Sequence, residues 1–285
     1  DPGDLPAANV LAGSAWGTMM AVGAGIGGLV VTAFGNDAGY LVDALSFFVA
    51  GLLLVWVRRP TSEVREPHET HPGIVEATRE AVRYSREDRH VLALFGVRVG
   101  VGFAIGVVAL LPVLARTVYH AGNRGTGLLF AFRGVGSLIG PFLIRPVIRR
   151  EDRRRLFTAA IWIPAVFAVG YGVLPWMPGI YLAGVAAMVA QFAAGAQWTL
   201  VTYSYQSTVP DRILGRVFGF DGALITFTFS VSNALCGWLA GLFGVRAVMA
   251  GVGAAVAAYC ALLWLLTRHV RRSLSSPRSP IPTLP

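Results

Sequence analysis

The chain has 285 residues, of which 55% are hydrophobic and only 14% charged. A soluble domain carries about 25% charged residues, and mean hydropathy here is +0.61. A water-soluble enzyme or binding domain is thereby excluded, and an all-α integral membrane protein is expected. Net charge is +9, with arginine supplying every basic residue other than histidine. Charge alone could point to nucleic acid; the positions of the arginines argue against it.

Taken in chain order, apolar runs between turn or charge signals predict eight membrane spans, at roughly 8–34, 38–57, 90–118, 125–148, 155–174, 179–207, 213–243 and 246–268. Runs of about 20 apolar residues suffice to cross a hydrocarbon core of about 30 Å. Most connections are short. The exception, 58–89, is polar, and from Ile74 onward its apolar residues Ile74, Val75, Ala81, Val82 and Tyr84 stand among Glu and Arg. That pattern predicts a short amphipathic helix at the membrane surface. Residues 270–285 are rich in Ser, Pro and Arg and read as a disordered tail. Four units follow: 1–57, the central loop 58–89, a six-helix unit 90–269, and the tail.

The arginines sort by side. The alternate connections 58–89, 145–155, 208–216 and 269–285, with Arg268, hold nineteen of the 24; the opposite connections hold Arg116, Arg124 and Arg246; Arg98 and Arg133 lie within spans. Lysine and arginine accumulate on the cytoplasmic side of membrane helices. The run RPVIRREDRRRL at 145–156 therefore reads as a cytoplasmic connection. Both visible termini are expected on that side, and no nucleic-acid partner is expected. Cys236 and Cys260 sit in apolar stretches and have no metal-ligand spacing.

The chain also repeats itself. Residues 18–35, TMMAVGAGIGGLVVTAFG, align with 228–244, TFSVSNALCGWLAGLFG. With one gap, Thr18, Ala24, Gly27, Leu29, Phe34 and Gly35 match Thr228, Ala234, Gly237, Leu239, Phe243 and Gly244. Related halves mark secondary transporters. An offset of about 210 residues corresponds to a unit of six spans, of which the first unit here shows its last two. Roughly four further helices are expected ahead of Asp1.

LPAANVL (5–11), GAGIGG (23–28), FG (34–35) and DALSFF (43–48) resemble the fifth and sixth helices of major facilitator superfamily exporters. LLPVLARTVY (110–119), GLLFAFRGVGSLIGP (127–141) and VPDRILGRVFG (209–219) resemble helices seven to twelve. The similarity is to the bacterial drug and siderophore branch, of the macrolide-efflux and enterobactin-exporter type. GAGIGG resembles the antiporter signature of the fifth helix, in which Gly23, Ala24, Gly27 and Gly28 would be the motif positions, with Ala24 where proline is usual. The resemblance implies a helical bundle, helices 5–12 of 12 being present. It implies alternating access in a bacterial inner membrane, export of a small organic molecule such as a drug, siderophore or secondary metabolite, and a monomer when full length; the alternatives are an uptake carrier of the same fold or a truncated, non-transporting membrane scaffold. It implies no cofactor, the proton gradient being the energy source.

Polar groups within spans are costly and suggest function. Arg98 and Arg133 could each bind an anionic substrate or pair with a carboxylate; alternatively Arg98 snorkels and Arg133 makes a fixed interhelical bond. Asp221 could carry a proton, or form a salt bridge with Arg212 or Arg216. Gln191, Gln197 and Trp198 lie on an unusually polar sixth span and could contact substrate or bond between helices. Arg145, Arg149, Arg153 and Arg154 could gate the cytoplasmic side or bind anionic lipid, or serve topology alone. Asp43 is expected to be structural. His68, His71, Glu66 and Glu69 make a poor metal set. No nucleophile stands with a base, and GVGSLIG at 134–140 lies inside a span, lacking the strand and Lys-Ser/Thr of a phosphate loop.

Overall fold

In a computed structural model, residues 5–56, 73–149 and 152–273 are described. They form α1 (Leu5–Val55), α2 (Ile74–Glu87), α3 (Arg89–Ile105), a 3-10 turn (Gly106–Leu110) and α4 (Leu111–Thr117). There follow α5 (Gly122–Arg149), α6 (Arg153–Val173), α7 (Ile180–Gln206), α8 (Asp211–Phe243), α9 (Val245–Leu266) and α10 (Arg268–Ser273). Among the described residues seven helical segments are long and apolar enough to cross a membrane. Eight spans are expected from the sequence; the difference lies in α1, where two helices run together across a kink at Gly35.

Gly35 has φ 86° and ψ 175°, and Gly244, between α8 and α9, has φ 80° and ψ 155°. Only glycine occupies this region without strain. The matched Phe-Gly pairs of the internal repeat thus make the same sharp turn in both halves. After Gly35 the chain turns back on itself, since a methyl group on Gly39 would lie 2.8 Å from Val31 Cγ2. Helix 40–55 is exposed along its whole length, including Leu41, Phe47 and Phe48.

The third expected span is one crossing made of three pieces. Helix α3 gives way to the 3-10 turn at Gly106, and α4 restarts with Pro112 in its first turn. Asp88 caps α3 by accepting from the backbone N–H groups of His90 (2.9 Å) and Val91 (3.4 Å). Asp152 caps α6 through the N–H of Arg155 at 3.1 Å and pairs with its guanidinium at 3.0 Å. One acid of the arginine run is therefore there to start a helix.

Glycine sets how closely the helices approach. On α5, Gly127 and Gly134 face α1, whereas Gly136 and Gly140 face α7. A methyl group on Gly134 would lie 2.1 Å from the backbone nitrogen of Ala21; one on Gly136 would lie 2.2 Å from the carbonyl oxygen of Met188. On α1 the complementary positions are Gly13, Gly17 and Gly28, a seam of about 22 Å at 1.5 Å per residue. Small residues allow the backbone contact that drives helix association where no water is displaced. At one end of the seam Asn9 donates to Gln206 of α7 at 2.6 Å.

Helix α2 forms where amphipathic periodicity predicts it. It is not free: Ala81 is fully buried, and Glu80 pairs with Arg216 of α8. The surface helix is thus bolted to the bundle.

Candidate functional site

Arg98 and Asp221 meet inside the bundle. Arg98 lies nine residues into α3 and Asp221 ten residues into α8. Each is therefore about 14 to 15 Å from the arginine-rich end. Nε of Arg98 is 3.0 Å from Oδ1 and 2.9 Å from Oδ2 of Asp221, with the two side chains 1% and 5% exposed. Tyr205 of α7 donates its hydroxyl to Oδ1 at 2.9 Å. The expected salt bridge of Asp221 with Arg212 or Arg216 does not form. Asp221 points inward to Arg98, and Arg216, five residues nearer the helix start, reaches out to Glu80. Nor does Arg98 snorkel.

Aromatic rings close this pair on one side. Phe95 packs on Phe220 (5.0 Å between centroids) and Tyr205 (5.9 Å), and Phe218 meets Tyr205 edge-on at 5.7 Å. Trp198 covers it on another, its ring 4.8 Å from the Arg98 guanidinium carbon. The indole is 53% exposed, so it stands between the ion pair and open space. Nη1 of Arg98 is sealed and has no acceptor.

Arg133 belongs to a second cluster, eleven residues into α5. Its Nε donates to the Tyr171 hydroxyl at 2.7 Å and to Oε1 of Gln191 at 3.2 Å; Tyr171 also donates to Oε1 at 2.9 Å. Its guanidinium carbon lies 4.9 Å from the Phe130 ring centroid and 6.0 Å from that of Tyr171. The two arginines expected to act alike have different surroundings: among the described residues one has a carboxylate, the other neutral acceptors and rings.

Helix α7 joins the two clusters. Gln191, Trp198 and Tyr205 recur every seven residues, so they form one stripe about 21 Å long. Gln191 touches Arg133, Trp198 covers Arg98, and Tyr205 binds Asp221. Gln197 leaves this stripe. It is 2% exposed, and neither its Oε1 nor its Nε2 has a hydrogen-bond partner in the structure. Gln197 and Trp198, considered together from sequence, thus point in different directions. Tyr171 and Tyr205 were missed by sequence reading, although the seven-residue spacing signals Tyr205.

In GAGIGG the glycines divide. Gly28 packs on Gly127, whose added methyl would also lie 3.7 Å from the Ala24 carbonyl oxygen, while Gly23, Gly25 and Gly27 face open space. Of the arginine run, Arg145 is half-buried and Arg154 exposed; the side chains of Arg149 and Arg153 lie outside the described residues. So do Glu66, His68, Glu69 and His71. Asp43 is exposed, and its carbonyl accepts from Ser46 at 2.7 Å. Among the described residues no three His, Cys, Asp or Glu side chains gather closely enough to hold a metal ion.

A bundle of membrane-length helices, with an internal repeat and buried charged clusters joined along one helix, defines a polytopic helical membrane protein. Residues 2–282 match the family described as Transmembrane secretion effector. The chain belongs to this family, within the major facilitator superfamily. It is similar to the uncharacterized MFS-type transporter YkuC of Bacillus subtilis, 24% identical over 233 residues, or 76% of this chain and 52% of the relative. YfiS of the same organism is 24% identical over 241 residues, covering 78% and 54%. Macrolide efflux protein A of Streptococcus pyogenes is 22% identical over 210 residues, covering 72% and 50%. The chain spans about half the length of the curated relatives it matches.

Proposed function

We propose that the protein is a proton-coupled exporter of a small organic molecule, working by alternating access in a bacterial inner membrane. Its arginine-rich face, α2 and both visible termini are cytoplasmic. The observation that carries this reading is the Arg98–Asp221 pair, level on two helices and covered by the exposed ring of Trp198. Protonating Asp221 removes its charge and leaves a buried arginine without a counter-ion, a state that must relax by moving α3, α8 or the Trp198 cover. That is the requirement for coupling a proton to a conformational change. The family and the names of its relatives support transport; the macrolide efflux relative supports export of a drug-sized molecule, with antibiotic resistance as one consequence. The arginine run would then serve topology and bind anionic lipid headgroups.

The test uses the full-length protein in proteoliposomes with an imposed pH gradient. Dye movement should follow the gradient and collapse with a protonophore. Asp221→Asn should abolish gradient-driven movement while leaving membrane insertion intact. Gradient-driven rates unchanged in Asp221→Asn would overturn the role given to the pair.

A further inference from the structure

Arg133 is 6% exposed, yet no carboxylate among the described residues pairs with it. Both of its hydrogen bonds to described residues leave from Nε, to the Tyr171 hydroxyl and to Oε1 of Gln191. The two Nη nitrogens make none to described residues. An arginine stays charged at any pH a cell reaches. A guanidinium enclosed among apolar helices is therefore a strong attractor for an anion.

The surroundings are arranged to hold it still. The guanidinium carbon lies 4.9 Å from the Phe130 ring centroid and 6.0 Å from that of Tyr171. Tyr171 and Gln191 bind each other as well as Nε, which fixes the arginine by one edge. The edge left over carries two parallel N–H donors, the geometry that matches a carboxylate with two hydrogen bonds. Gln191 also begins the α7 stripe that leads, seven residues on, to the exposed ring of Trp198.

We propose that the Nη edge of Arg133 receives the carboxylate of an organic anion, which makes carboxylate-bearing molecules the substrate class of this protein. The proposal rests on the transport reading above and deepens it. It assigns the two arginines separate duties: Arg98 is already neutralised by Asp221 and serves coupling, while Arg133 is left for substrate.

The experiment titrates benzoate and benzamide into the purified full-length protein in detergent and follows thermal unfolding. The two probes share size and plane and differ in charge. Benzoate should raise the unfolding temperature saturably, and benzamide should not. Arg133→Lys, which keeps the charge and loses the planar fork, should weaken the response about tenfold. Arg133→Gln should abolish it while the protein still elutes as one species. Equal responses to both probes, or a wild-type benzoate response in Arg133→Gln, would overturn the proposal. So would no benzoate response in the wild type, the result expected if a carboxylate elsewhere in the chain occupies Arg133. Dye export by the wild type in proteoliposomes separates the two readings. Export with no benzoate response removes the anion site alone; no gradient-driven export removes the transport reading itself.

Discussion

Arg98 and Asp221 stand 123 residues apart in the chain and meet at 2.9 Å in its interior. Removing one partner of a buried pair strands the other, which costs about 3–5 kcal/mol. Asp221→Ala should therefore destabilise the protein more than the double variant Arg98→Ala/Asp221→Ala, which leaves no stranded charge. Thermal unfolding of the four proteins of the cycle checks this. Additive losses would mean that the two side chains do not interact.

Trp198 should matter through its ring. Its face lies 4.8 Å from the Arg98 guanidinium carbon, an attraction worth about 1–2 kcal/mol when partly desolvated. Trp198→Phe should keep most of the cover and Trp198→Ala should lose it. The readout is accessibility of a cysteine placed at Ala194, one turn away on the same helix. Labelling should rise about tenfold in the alanine variant and little in the phenylalanine variant.

The glycines of α1 make a graded prediction. A methyl group at Gly17 would meet the backbone nitrogen of Leu138 at 2.2 Å, whereas one at Gly27 meets nothing within 4 Å. Gly17→Ala should push α1 from α5 and lower thermal stability by several degrees. Gly27→Ala should be neutral or slightly stabilising, since alanine is the better helix former by about 1 kcal/mol.

Gly35 and Gly244 should both resist substitution for a different reason. Their positive φ values, 86° and 80°, cost a side-chain-bearing residue about 1–3 kcal/mol whatever space surrounds them. Alanine at either position should destabilise by that amount in an unfolding assay. A neutral Gly244→Ala would show that the α8–α9 turn adapts.

The Glu80–Arg216 pair bolts α2 to α8. Both side chains are partly exposed, so its contribution to stability should be below about 1 kcal/mol. Its effect should instead be local. Glu80→Gln should speed amide exchange across 74–87 with little change in global unfolding, and the charge swap Glu80→Arg/Arg216→Glu should restore part of the protection.

Much of the architecture was legible in the chain. Apolar runs of membrane length, the sorting of nineteen arginines to one side and the Phe-Gly repeat are local or periodic signals. They survive without knowledge of contacts, because the hydrocarbon core imposes length and composition on each helix independently. The amphipathic α2 was legible for the same reason, and so was the polar character of α7.

The partnerships were not. Asp221 has Arg216 close by in sequence, and proximity favours that pair; the fold turns the two side chains apart and supplies Arg98 from another helix. Gln197 and Trp198 are neighbours in the chain, yet one is enclosed and the other faces open space. GAGIGG reads as one motif, but only part of it touches α5. By itself the sequence determined that this protein crosses the membrane repeatedly and where its membrane-length helices lie. Only the tertiary structure decided which buried arginine meets a carboxylate and which meets a tyrosine and a glutamine. Helix rotation about its own axis sets that outcome, and rotation is settled by packing against neighbours far away in sequence.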